Sequence, residues 1–202
     1  MQNRLLKGMI NLEDVRISRF DQIVEMGKEG QKALNEYWWE FSLYTSFEYW
    51  LMVLFLVAPL VFLLFKINKN KLFQILFYGY SIHMSFGYHD LYGRNMGYWN
   101  YPFPVIPVLP GISLDSSLIP IIFMFVYQST LNSNKKYYLY ATVTSVILSF
   151  VFKPMLVGLG LFKMYGSINY FHLFLSYVSV FIFAKVVTDF FLWIKKRYSS
   201  NK

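Results

Sequence analysis

The sequence predicts an all-α polytopic membrane bundle, about five transmembrane helices preceded by an N-terminal amphipathic helix. Three observations carry that expectation. The 202 residues are 56% hydrophobic, 21% aromatic and only 15% charged, which is too apolar for a water-soluble domain of this length. The apolar residues fall into separate stretches, each close to or above the ~18 to 20 residues that a helix needs to cross ~30 Å of hydrocarbon. Lysines and arginines collect in alternate joints between those stretches.

Residues 1–46 form the first segment. Leu12, Val15, Phe20, Ile23, Val24, Leu34, Trp38 and Phe41 recur at three- and four-residue steps with charges between them, which predicts an amphipathic helix at the membrane surface. Gly27 and Gly30 weaken its middle, and packing on the protein's own loops or on a partner is the alternative. Trp38, Trp39, Tyr44, Tyr49 and Trp50 mark the entry to an aromatic belt. The first twenty residues lack an apolar run followed by a small-residue cleavage site, so the expectation is targeting by the first span.

Residues 47–194 hold five predicted spans: Phe47–Phe65, Leu72 to about Tyr92, Leu114–Leu131, Tyr137–Gly160 and Ile168–Ile194. Separate spans of this length can only be helices, because lipid offers the backbone no partner. KINKNK at 66–71, NSNKK at 132–136 and KMYGS at 163–167 are turn- or charge-rich joints. Pro102, Pro104, Pro107 and Pro110 make the remaining joint an extended or re-entrant segment. Residues 195–202 form a basic tail.

Charge predicts orientation. Residues 1–46 carry six basic and seven acidic side chains, whereas residues 47–202 carry thirteen basic and four acidic. Alternating helices place Lys66, Lys69, Lys71, Lys135, Lys136, Lys195, Lys196, Arg197 and Lys202 on one side and only Arg94 and Lys163 in the opposite loops. The first side should be cytoplasmic, giving an extracytoplasmic N-terminus and a cytoplasmic C-terminus in a cell membrane. The basic excess reads as contact with anionic membrane lipids rather than with nucleic acid.

Depth arithmetic gathers the polar residues. At 1.5 Å per residue, Asp90 lies roughly 27 Å and His83 roughly 16 Å along the second span, and Lys153 about 24 Å along the fourth. Asp115 opens the third span, and Glu48 and His172 sit at the outer ends of the first and fifth. Gly79, His83, Gly87 and Asp90 form one stripe in which the glycines permit close backbone approach, while His89 points elsewhere. Lys153 precedes Pro154 and needs a carboxylate, Asp90 or Asp115 being the obvious partners. The candidate ligand-binding pocket therefore comprises Asp90, Asp115, Lys153 and His83, rimmed by Trp99 and Tyr101. An ion pair locking three helices is the purely structural alternative.

Several classes lack support. Absence of cysteine removes disulfides, thiolate metal sites and a cysteine nucleophile. No short ligand spacing supports a metal site from His83, Asp90, Asp115 and Glu48. Ser113, Ser116 and Ser117 have no base and acid series, and no glycine loop cradles phosphate. No cofactor is expected. Lys185 and Asp189 read as a local interfacial pair.

The run from Ile82 to Tyr140, with LSFVFKPMLVGLGLF and NYFHLFLSY after it, resembles an uncharacterised family of multi-pass membrane proteins of Bacillus, Clostridium and relatives, named after a Clostridium botulinum hypothetical protein. The combination Asp90, Gly97, Trp99, Tyr101-Pro102, Asp115, Pro120, Tyr127-Gln128 and Lys153-Pro154 carries the likeness, which implies fold and host class and no catalytic residue. Asp90, Gly97, Trp99, Tyr101 and Asp115 also faintly resemble the membrane-bound lycopene cyclases. Asp115-Ser116 stands where those enzymes have paired glutamates, which undermines acid-driven cyclisation. The functional expectation is a non-enzymatic membrane protein whose outer-leaflet pocket binds a small ligand, ion or lipid headgroup. A lipid- or isoprenoid-modifying enzyme and a subunit of an oligomeric transporter are the alternatives, and a homo-oligomer or a membrane-protein partner fits any of them.

Overall fold

The computed structural model describes residues 2–41 and 43–199, so the last three residues of the basic tail, Lys202 among them, lie outside the described residues. The chain divides after Leu43 into two units. The first is one helix, α1 (Gln2–Glu40), which runs through Gly27 and Gly30. Pairs such as Lys28 with Glu25 at 2.9 Å and Lys32 with Glu36 at 3.7 Å brace it, each exposed and worth only about 0.3 to 0.5 kcal/mol. A lone helix has nothing within its unit to bury Leu12, Val15, Phe20 and Ile23, and all four are exposed.

The second unit contains α2 (Phe47–Lys66), α3 (Leu72–Asn95), α4 (Leu114–Ser129), α5 (Asn134–Gly158) and α6 (Tyr170–Ser199). Three of them, α2, α5 and α6, are long and apolar enough to cross a membrane. Ser46 and Ser133 cap α2 and α5 by accepting from Tyr49 N at 3.1 Å and Lys136 N at 3.4 Å. These are the ordinary N-terminal signals of a helix. The KINKNK joint closes as a single turn over Lys69–Lys71. Gln128 staples it to the end of α4, accepting from Asn68 N at 2.7 Å and donating to Lys66 O at 3.1 Å.

α3 is central and packs on α4 and α6, while α5 packs on the same two. A Cβ at Gly79 would overlap Met124 of α4, so that glycine does permit close approach of two helices. Gly87 of the same stripe meets nothing within 4 Å and is exposed, a departure from the expected close contact. Deeper along α3, Tyr78 stacks on Tyr127 with centroids 4.2 Å apart, and its hydroxyl lies 2.8 Å from that of Tyr137. Tyr137 in turn donates to Phe181 O at 2.9 Å, so these buried hydroxyls are satisfied within the bundle. Lys185, expected at an interface, is instead buried, paired with Asp189 and facing the rings of Tyr127 and Tyr137.

Two helix ends share one device. Gly97, at φ 68°, ends α3 with Tyr98 N bonding Gly93 O at 2.8 Å and Gly97 N bonding Arg94 O at 2.9 Å. Gly160, at φ 70°, ends α5 in the same way, through Leu161 N to Leu156 O at 2.9 Å and Gly160 N to Val157 O at 3.0 Å. This is the Schellman arrangement, which needs a left-handed residue that glycine supplies without strain. Each cap reverses the chain into a two-residue strand. β1 (Trp99–Asn100) and β2 (Lys163–Met164) pair antiparallel, Trp99 opposite Met164, and Tyr165 N extends the pairing to Tyr98 O at 2.8 Å. The aromatic loop after α3 is thereby tied to the loop after α5.

Candidate functional site

Helix geometry aims the site residues. α4 opens with a π-helical turn over Leu114–Leu118, and α5 contains one over Leu148–Phe152. Each directly precedes a residue followed by proline, Ile119-Pro120 and Lys153-Pro154. A proline ring presses on the carbonyl four residues back, here Ser116 and Phe150, and a wider turn relieves that pressure. The wide bonds run from Ile119 N to Leu114 O and from Lys153 N to Leu148 O. Asp115 lies inside the first wide turn and Lys153 closes the second. Ser117 uses the same region of α4 to donate to Leu56 O of α2 at 2.6 Å.

Asp90 is the hub. It is 7% exposed and accepts from Arg94 Nε at 2.7 Å on Oδ2, and from Trp99 Nε1 at 3.0 Å and the Tyr101 hydroxyl at 2.9 Å on Oδ1. The Schellman turn at Gly97 makes this possible by folding Trp99 back onto Gly93, where any Cβ would overlap the indole. Burial and the neighbouring carboxylates push the Tyr101 phenol well above its ordinary pKa, so it stays protonated and donates. Arg94 presents further guanidinium N–H groups beyond the one that bonds Asp90.

Asp115 lies beside the hub. A Cβ at Gly111 would overlap Asp115 Oδ2 and approach Asp90 Oδ2 to 2.9 Å, so the two carboxylates flank one point on the backbone. Asp115 Oδ2 is buried and has no hydrogen-bond partner. A buried acceptor without a donor is costly and calls for an explanation. His83 Nδ1 is 3.1 Å from the main-chain oxygen of Asp115, not from its carboxylate.

Lys153 is 4% exposed, yet among the described residues no carboxylate comes within ion-pair distance of it. Its Nζ sits 3.7 Å from the centre of the Phe162 ring and 5.7 Å from that of Tyr101, a cation–π arrangement. The expected direct pair of Lys153 with Asp90 or Asp115 is therefore absent, with Arg94 on the Asp90 carboxylate and aromatic rings on the amine. The reason is local: α3 continues to Asn95, which puts Arg94 one turn beyond Asp90 on the same face.

Two spaces adjoin the cluster. A cavity of about 30 Å³, roomy enough for a water, is lined by Asp90, Asp115, Lys153, Trp99, Tyr101 and His89 among others. A larger groove of about 290 Å³ is lined by His83, Gly87, Asp90, Arg94, Gly111 and Asp115 among others. Asp90 and Asp115 thus form the wall between them, with Lys153 on one side and His83 on the other. Glu48 and His172 line neither space, and His172 bonds locally to Asn169. Among the described residues no group of three or more His, Asp or Glu is arranged to hold a metal ion.

Sequence reasoning missed Arg94, Gly111 and Phe162, and it set His89 aside as pointing elsewhere. Arg94 was legible from its four-residue spacing to Asp90. His89 lines the small cavity together with Asp90, with Nδ1 2.9 Å from Ser85 O. Gly111 and Phe162 belong to loops whose path no periodicity reports. Comparison with protein-family models, with curated proteins and with solved structures gives no match.

Proposed function

We propose that the chain is a five-span membrane protein, α3 and α4 joining the three apolar helices in the bilayer, and that its groove binds a zwitterionic lipid headgroup. The N-terminus lies outside and the C-terminus inside, with α1 resting on the outer surface as an amphipathic helix. One observation carries the reading: a buried Asp115 oxygen, Oδ2, without a hydrogen-bond partner, on a residue that lines a 290 Å³ groove together with Arg94. A headgroup ammonium meets the acid, and its phosphate meets the guanidinium N–H groups not used by Asp90. Lys153, sealed behind the wall on Phe162, balances the charge of the two carboxylates without entering the groove.

The test is native mass spectrometry of the protein in dodecyl maltoside with phosphatidylethanolamine and phosphatidylcholine of matched acyl chains. Wild type is expected to retain phosphatidylethanolamine in preference, because an ammonium donates hydrogen bonds and a quaternary amine does not. Asp115→Asn should lose that preference, and Arg94→Gln should weaken retention of both lipids, because both carry the phosphate. Equal retention by all three proteins would end the headgroup reading.

A second reading draws on the meeting of Asp90 and Asp115 at Gly111, since two carboxylates in different environments suit acid–base work on a lipid. It requires the lipid extract of an overexpressing strain to differ from that of an Asp115→Asn strain. Identical extracts would exclude it and leave headgroup binding alone.

A further inference from the structure

We infer a second lipid site at the opposite end of the bundle, a groove that takes the phosphate and acyl chains of an anionic phospholipid. It rests on the span arrangement proposed above and not on the Asp115 groove. The groove, about 410 Å³, lies between the start of α3 and the last turns of α6. Lys69, Lys71 and Lys195 line it, and no acidic residue does. Among the described residues none of these three amines has a carboxylate within ion-pair distance, although Asp189 is near in sequence. That acid is committed to the buried Lys185.

Asn70, Gln74 and Thr188 add neutral polar groups, and the remainder of the wall is apolar. Phe73 is 87% exposed, and Phe77 and Phe191 meet edge to face with centroids 5.4 Å apart. The same groove therefore offers ammonium groups at its mouth and ring surface along its length, the two chemistries of a phospholipid joined in one molecule. Free phosphate would use the first and leave the second bare. α3 also begins here at Lys71 without a side-chain cap, so the positive end of its dipole adds to the lysines. Basic pockets between helices at the cytoplasmic interface suit anionic headgroups for these reasons.

The experiment titrates phosphatidylglycerol and phosphatidylcholine of matched chains onto the full chain in dodecyl maltoside, read by native mass spectrometry. Phosphatidylglycerol should bind at least about tenfold more tightly, and Lys69→Gln/Lys71→Gln/Lys195→Gln should remove that margin. All three are exposed, so the variant should melt as the wild type does. Lys135→Gln/Lys136→Gln, on the neighbouring joint, should leave the margin intact. Loss of the margin in that control would mean diffuse attraction and overturn the site, as would equal binding by the triple variant. Competition by millimolar inorganic phosphate alone would make it an anion site without acyl contact, which also overturns the inference. Asp115→Asn should not alter phosphatidylglycerol binding, so failure of the outer groove and failure of this one are separately visible.

Discussion

Asp90→Ala strips the acceptor from three donors at once, Arg94 Nε, Trp99 Nε1 and the Tyr101 hydroxyl, all within 3.0 Å of it. Removing one partner of a buried charge pair costs about 3 to 5 kcal/mol. The Arg94 side chain is 19% exposed, so water can reach part of it and the lower bound applies, about 3 kcal/mol. For a chain of this size that corresponds to a fall in Tm of roughly 6 to 12 °C. Asp90→Asn differs in kind. It keeps a carbonyl for Trp99 and Tyr101 and loses only the charge that holds Arg94, about 1.5 kcal/mol or roughly 3 to 6 °C. Adding Arg94→Gln to Asp90→Asn should cost less than the two singles together by at least about 0.5 kcal/mol, because the second change no longer breaks a pair. Melting followed by tryptophan fluorescence in one detergent checks all four proteins. Asp90→Ala melting within about 1 °C of wild type would refute the hub, and Asn as damaging as Ala would refute the apportioning among its donors.

Gly111→Ala should cost about 1 to 3 kcal/mol, because its methyl must displace Asp115 or the triply held Asp90. Gly87→Ala, with open space around it, should stabilise α3 by roughly 0.5 to 1 kcal/mol, and a loss of stability there would mean that the groove is closed. Tyr101→Phe should lower stability by about 1 kcal/mol at neutral pH through the lost bond to Asp90. Because the folded Tyr101 pKa lies above the unfolded value, wild-type stability falls as pH rises past about 10. The phenylalanine variant lacks that loss, so the gap between their Tm values should narrow from pH 7 to pH 11, and a constant gap would refute it. The chain has no cysteine, so Asn132→Cys and Ser167→Cys report topology: an impermeant maleimide should label Ser167→Cys on intact cells and Asn132→Cys only after lysis. Labelling of both on intact cells would refute the five-span arrangement.

The helices were legible wherever a joint carried turn chemistry. KINKNK, NSNKK and the prolines before Leu114 mark ends that the structure places within a few residues, at Lys66, Asn134 and Leu114. α3 is the instructive exception. Its span was expected to stop near Tyr92, yet it continues to Asn95, because the signal that ends it is the left-handed Gly97 and not a change in polarity. Three further residues of helix are what deliver Arg94 to Asp90. Depth arithmetic gathered Asp90, Asp115 and Lys153 correctly at one end, since rise per residue is nearly constant. Direction is a different matter. A wide turn before Pro120 or Pro154 shifts the phase of everything beyond it, and a period of 3.6 residues carries no notice of that. Lys153 could therefore be set at the right height and still be assigned the wrong neighbour.

The two wide turns act as one-residue insertions, each correcting the rotation of the helix segment that follows it. Deleting Ser116 or Phe150 would restore ordinary winding and leave the remainder of α4 or α5 facing as before, whereas inserting one further residue would swing that remainder by about 100°. Such lengthened chains would keep their hydrophobicity, and would still look on paper like competent bilayer helices. They would nonetheless present the wrong flank to α3. Tolerance of single-residue deletion together with intolerance of single-residue insertion at these two places is the mutational signature that such built-in phase correction should leave.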